Sequence, residues 1–178
     1  HFQPASYFGR VPGTPNNDGR LTLGELLDEI PKQTEGLIKP ENLAPSCCDH
    51  PLCGFHGSFV VLPKGGLMPL TLWSKKNPQC SCYADKSEQN REYVGRRWQR
   101  SACCGPDEEA VDLNSLDGFA KRAKAYSFTI TAMAFQDVWN LDLNRLRYCS
   151  LHVYNKGKHV PLCANYLTSE LGQRLYGK

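Results

Sequence analysis

The sequence predicts an α+β fold, with helices and strands mixed along one chain of 178 residues. Three observations lead there. Apolar residues recur at helical spacing near Leu23–Ile30 and again near Leu116–Ala123. Two β-rich segments, SFVVLPKGGLMPLTLW (58–73) and CSLHVYNKGKHVPLC (149–163), each fold back about a glycine turn. Nine cysteines, an abnormal number for the length, sit in short clusters among these elements.

Taken in order, residues 1–8 form a strand, and a Gly/Pro/Asn/Asp-rich turn runs from Gly9 to Gly19. Thr22 caps a helix that presents Leu23, Leu26, Leu27 and Ile30 on one face. Together they make a strand–loop–helix unit of the kind α/β proteins repeat. Pro40 and Pro45 then break the chain before the first cysteine cluster, CCDHPLCGFHG (47–57). The next hairpin turns at Lys64-Gly65-Gly66. A polar loop over 74–90 carries Cys80-Ser81-Cys82, and residues 88–99 are expected to be helical, ending before Cys103-Cys104-Gly105-Pro106. Leu116, Phe119, Ala120 and Ala123 predict an amphipathic helix with Lys121, Arg122 and Lys124 on its other side. SFTITAMAF (127–135) alternates as a strand does, and DLNRLRY (142–148) predicts a short helix capped by Asp142. After the second hairpin a last short helix is expected, capped by Thr168. No internal repeat or low-complexity tract is present.

The second hairpin carries a geometric expectation. A three-residue loop Asn155-Lys156-Gly157, with the glycine in the left-handed position of a bulge, pairs Tyr154 with Lys158. Counting outward, Cys149 then stands opposite Cys163, with Cβ atoms about 4.5–5.5 Å apart. A pair so placed serves two corners of a metal cluster or closes into a disulfide.

Composition narrows the function classes. Hydrophobic content of 40% and charged content of 22% describe a chain with a folded core. A net charge of +3 is too small to argue for nucleic acid or an anionic membrane. The basic run REYVGRRWQR (91–100), with Arg96, Arg97 and Trp98 as substrate-facing candidates, reads better as a solvated helix flank. No apolar stretch approaches the ~20 residues a membrane span needs. HFQPASYFGR (1–10) has no basic or apolar region of a signal peptide and reads as a strand from inside something larger, so the chain is expected to be a fragment. An odd cysteine count and the lack of a visible secretory signal favour a reducing, cytoplasmic compartment, where clustered cysteines bind metal or do redox work.

Four readings of the cysteines follow. Secreted phospholipases place a His–Asp pair after two adjacent cysteines, but here His50 comes one position early and Pro51 bars the pair from a helix. A zinc site would draw on Cys48/Cys53 and Cys80/Cys82, with His50 or His56 in reserve, at spacings looser than CxxC pairs. A disulfide-stapled binding module is the plain structural alternative. Iron–sulfur clusters take four thiolates per cubane, and nine thiols suffice for two such sites with one over. His50 beside Pro51 reads first as a brace for a turn. His56 is either a hydrogen-bond donor to a cluster sulfide or a half-buried structural residue.

Several stretches resemble the C-terminal part of radical SAM proteins that carry extra iron–sulfur clusters, in particular the group of tetraether lipid synthase and selenoprotein-associated radical SAM proteins. They are HFQPASYFGR (1–10), LTLGELLDEIPKQTEGL (21–37), CDHPLCGFHGSFVV (48–61), REYVGRRW (91–98), SFTITAMAFQDVWNLDLNRLRYC (127–149) and VPLCANYLT (160–168). The resemblance covers about half the residues, in order, from end to end. It implies that residues 1–40 are the last βα portion of a partial (β/α) barrel and that 41–178 form a small cysteine-rich, auxiliary-cluster domain with β-hairpins and short helices. It assigns Cys48, Cys53, Cys149 and Cys163 to one [4Fe–4S] cluster. Cys80, Cys82, Cys103 and Cys104 are candidates for a second, and Cys47 is the spare. Gln3, on the first strand, is the candidate to approach cofactor or substrate. The radical-generating CxxxCxxC loop and the SAM-binding glycines of the family are missing from this sequence. The resemblance therefore implies that S-adenosyl-L-methionine and the radical chemistry belong to an N-terminal half, served by a reductant protein, and that this portion is not catalytic alone.

Overall fold

The computed structural model describes residues 1–11, 13, 15, 18–45, 50–73, 91, 92, 95, 113 and 115–176. Its elements are α1 (Leu23–Gln33), a 3-10 turn (Pro40–Asn42), β1 (Ala44–Pro45), β2 (Gly54–Val61), β3 (Leu67–Pro69), α2 (Leu116–Ala125), β4 (Ser127–Met133), α3 (Leu143–Arg147), β5 (His152–Asn155), β6 (Lys158–Pro161) and α4 (Leu162–Tyr166). The protein is of the mixed α+β class. In one sheet β2 is the shared strand, neighboured by β1, β3 and β4; β5 and β6 form a separate two-stranded sheet. The chain divides into two compact units that interleave in sequence. One holds His1–Ile30, Pro45–His56 and Thr131–Lys178; the other holds Pro31–Ala44 and Gly57–Ile130.

In the first unit α1 begins where its cap dictates. Thr22 Oγ1 accepts from the Glu25 N–H at 3.2 Å, and the Glu25 carboxylate accepts from the Thr22 N–H at 2.6 Å. This reciprocal box satisfies donors that the first helical turn otherwise leaves orphaned. Leu26 and Ile30 are the residues α1 buries. Residues 1–8, expected as a strand, make only a parallel bridge from Phe2 to Ala132. The Phe2 N–H donates to Thr131 O at 2.8 Å and Phe2 O accepts from the Met133 N–H at 3.1 Å. Pro4, two residues on, has no N–H with which to continue a ladder.

The second hairpin also departs from expectation. β5 and β6 pair Tyr154 with His159 and Asn155 with Lys158. The loop has two residues, Lys156 (φ 47°) and Gly157 (φ 80°), both left-handed. That is the turn whose twist matches a hairpin, and it shifts the register by one from the bulged loop expected. The ladder ends at His152 and Pro161, so Cys149 and Cys163 are not cross-strand partners. Cys163 lies instead in α4. The helix expected after Thr168 is absent from the described residues. The Thr168 hydroxyl accepts from the Gly9 N–H at 2.8 Å and donates to Gly9 O at 3.3 Å, a tertiary use that competes with helix capping.

In the second unit, β2 and β3 pair Phe59 with Pro69 and Val61 with Leu67 about the expected glycine turn. Phe59 and Val60 are fully buried, and Phe59 stacks on Phe128 with ring centroids 5.4 Å apart. Gly57 has no room for a side chain, since a Cβ would lie 2.5 Å from Asn42 O. Helix α2 is capped by Ser115, whose hydroxyl accepts from the Gly118 N–H at 3.0 Å. It is rotated from expectation. Leu116 is 83% exposed whereas Arg122 is buried. Arg122 donates from Nε to Val61 O at 2.8 Å and lays its guanidinium 3.6 Å from the Tyr126 ring centroid. A satisfied, stacked arginine thus takes the inward place predicted for apolar side chains. Of the helix expected over 88–99, Arg91, Glu92 and Gly95 are described and are helical.

Candidate functional site

The site is built within the first unit from three segments remote in sequence. The first is a tight turn over His50–Cys53. The Cys53 N–H donates to His50 O at 2.8 Å, and the Leu52 N–H donates to His50 Nδ1 at 3.3 Å. Pro51 suits the second position of such a turn, and His50 braces it rather than pointing to a ligand role. The turn is tied to the far end of β4, where the Ala134 N–H donates to Cys53 O at 2.9 Å. Gly54 permits that approach, because a Cβ there would meet Ala132 O at 2.5 Å.

The second segment is α3 with its exit. Asp142 caps it, its carboxylate accepting from the Asn144 N–H at 2.8 Å. The cap's own N–H donates to the Gln136 side-chain carbonyl. One turn into the helix, Arg145 donates from Nε to Cys53 Sγ at 3.4 Å and from Nη2 to Ala134 O at 2.6 Å. Just past the helix, the Cys149 thiol donates to Leu151 O at 3.2 Å. The third segment is α4, where Cys163 is 7% exposed and its sulfur accepts from the Gln136 N–H at 3.3 Å.

These side chains sense one another. Burial pushes the Cys163 thiol above its ordinary value, and the Gln136 N–H draws it back. The charges of Cys149 and Cys53 raise it further and that of Arg145 lowers it. Three thiols and one cation therefore share a common electrostatic neighbourhood, and all three thiols are free. No group of three or more His, Cys, Asp or Glu side chains among the described residues is placed to hold a metal ion.

Of the residues expected at the site, Cys53, Cys149 and Cys163 are described, and the first two lie within electrostatic reach of the third. Cys48, Cys80, Cys82, Cys103 and Cys104, with Cys47 and the segment Arg96–Trp98, lie outside the described residues. Gln3 is exposed, between bridged Phe2 and buried Pro4. His56 is half-buried on β2, and burial holds its imidazole below the ordinary value of 6.5.

Three residues were not legible as site members. Arg145 and Gln136 act only through the tertiary approach of α3 and α4. Asp137 did leave a signal: a lone carboxylate in the apolar stretch AMAFQDVW, which needs a partner if buried. That partner is Arg20.

No protein-family model and no curated protein matches this chain. Among the described residues, no helix is long and apolar enough to cross a membrane.

Proposed function

We propose that this chain is the auxiliary-cluster portion of a radical SAM enzyme, holding a [4Fe–4S] cluster on Cys48, Cys53, Cys149 and Cys163. The observation that supports the reading is that Cys53, Cys149 and Arg145, on segments remote in sequence, lie within electrostatic reach of Cys163, with Arg145 hydrogen-bonded to Cys53 Sγ. The donor type is the appropriate one. Clusters of this type take cysteine thiolates, and the arginine partly offsets the negative charge that gathers there.

When bound, the cluster would supply an electron relay or an anchoring position for substrate. The chain's own residues do the rest: the His50–Cys53 turn aims one sulfur, the exit of α3 a second, and α4 a third. Cys80, Cys82, Cys103 and Cys104 are the candidates for a second cluster, and Gln3 for contact with cofactor or substrate. SAM and the radical step belong to an N-terminal half of the same protein, working with a reductant protein in the cytoplasm.

Anaerobic reconstitution followed by iron and sulfide analysis tests this. About four iron and four sulfide per chain are expected for one cluster. Stoichiometric zinc, or cystine pairs with no metal in protein prepared without oxygen, overturns the reading in favour of a stapled binding domain.

A further inference from the structure

The stretch that runs from α3 to the end of α4 has a charge the rest of the chain lacks. Between Leu143 and Ser169 stand Arg145, Arg147, Lys156 and Lys158, with no aspartate or glutamate. That stretch is +4 while the whole chain is +3, so the remainder, at −1, holds no net positive charge. Arg145 is turned onto Cys53 Sγ and Ala134 O. The other three are exposed, and among the described residues neither Arg147 nor Lys158 pairs with a carboxylate.

Alternation along the hairpin decides which side chains stand among these cations. Val153 and Val160 are cross-strand partners, and Val160 is buried. On the same face Asn155 donates from Nδ2 to Asn165 Oδ1 of α4 at 2.8 Å. The opposite face carries His152, Tyr154 and His159, all exposed. Tyr154 is 71% exposed, and its ring meets that of His159 edge-on with centroids 5.9 Å apart. Just past α3, Tyr148 is 64% exposed. Exposed tyrosines bordered by uncompensated cations are the anchors that protein interfaces favour.

We propose that the open face of β5–β6 and the exit of α3 form a docking surface for an acidic protein, whose carboxylates meet Arg147 and Lys158 while Tyr148 and Tyr154 are covered. The number of cations favours a protein over other polyanions. Sequence-independent DNA binding draws on about 6–10 phosphate contacts, and basic clusters that hold anionic membranes carry about 4–8 lysines and arginines. Three exposed cations fall short of both, whereas the tyrosines beside them suit the apolar centre of a protein surface. The surface is read from exposure and charge alone, so it is independent of the cluster reading.

The full chain is titrated against a fluorescently labelled random copolymer of glutamate and tyrosine, followed by fluorescence anisotropy. Binding is expected at low ionic strength, weakening as salt screens it. Arg147→Glu/Lys158→Glu should weaken it on the order of tenfold, and Tyr154→Ser about fivefold. Lys121→Glu/Lys124→Glu, at exposed positions of α2 in the other compact unit, makes the same change in net charge. It should leave the affinity within about twofold of the unsubstituted chain. If the reversed pair in the arm does not keep the unsubstituted far-ultraviolet spectrum, Arg147→Gln/Lys158→Gln takes its place and should weaken binding about threefold. Equal losses from the arm and α2 variants would reduce the attraction to net charge and overturn the proposal, as would an absence of binding. A DNA duplex or a phosphatidylserine vesicle that binds more tightly than the copolymer at equal charge overturns the choice of a protein partner.

Discussion

Arg20 and Asp137 form a buried ion pair, Nη1 to Oδ2 at 2.7 Å, with side chains 7% and 1% exposed. The carboxylate also accepts from the Tyr7 N–H at 2.7 Å and the Trp139 N–H at 3.1 Å. It fastens the N-terminal segment to the loop after β4, while Arg20 lies 4.7 Å from the Tyr7 ring centroid. Among the described residues Arg20 Nε has no hydrogen-bond partner although it is buried, so within them the pair is tightly held but not fully satisfied.

Removing one partner leaves the other charged and buried. Asp137→Ala is expected to cost about 3–5 kcal/mol, the range for breaking a buried pair. Urea denaturation checks it. The double variant Arg20→Met/Asp137→Leu should recover part of that loss, because neither charge is then stranded.

Two glycines should respond to alanine with opposite signs. At Gly54 the new methyl meets Ala132 O at 2.5 Å, which neither backbone can relieve cheaply. A loss of about 1–3 kcal/mol is expected. At Gly24, inside α1, the nearest atom is Thr22 Oγ1 at 3.8 Å, an ordinary contact. There alanine should stabilise by about 0.5–1 kcal/mol through helix propensity. Thermal melts of the two variants, read side by side, decide both.

His56 gives the metal-free protein an acid limb. Burial lowers its folded-state pKa below 6.5, so the folded state disfavours the imidazolium. Stability from this group is intact above 6.5 and is lost as pH falls through the depressed value. Urea midpoints should drop across that interval, and His56→Gln should flatten the drop. A midpoint profile unchanged by the substitution would contradict the assignment.

Metal content should discriminate among the cysteines. After anaerobic reconstitution, Cys53→Ala and Cys149→Ala are each expected to fall well short of the roughly four iron per chain of an intact cluster. Cys47→Ala is expected to match the unsubstituted chain. Equal iron in all three variants would show that these sulfurs do not share one core.

How far the sequence could be read depended on the range of the forces involved. Helix α1, the β2–β3 hairpin, strand β4 and helix α3 were legible because their signals are local: the Thr22–Glu25 box, Lys64-Gly65-Gly66, alternation, and Asp142. The β5–β6 hairpin was legible in existence but not in register, since Lys156 accepts a left-handed conformation that a non-glycine residue usually avoids. Arg122 and Thr168 were misread because each found a partner remote in sequence, Val61 O and Gly9. Cys48, Cys53, Cys149 and Cys163 were singled out by motif resemblance and by counting along the hairpin, since residue type alone would name all nine cysteines. The expected cross-strand placement of the last two did not hold: Cys163 lies in α4, within electrostatic reach of Cys149. Arg145 could not be named in advance, because nothing local to α3 indicates which carbonyl and which sulfur it will reach.

The placement of Cys163 on a helix rather than a strand frees the hairpin that precedes it. Leu162 is anchored by its N–H to Leu151 O at 2.9 Å, below the ladder, so the sulfur's seat is decided at the base and not at the tip. Residues inserted at Lys156-Gly157 would lengthen the finger outward while that anchor held. Relatives of this chain can therefore vary widely in the length of this arm and still deliver the thiol to the same spot.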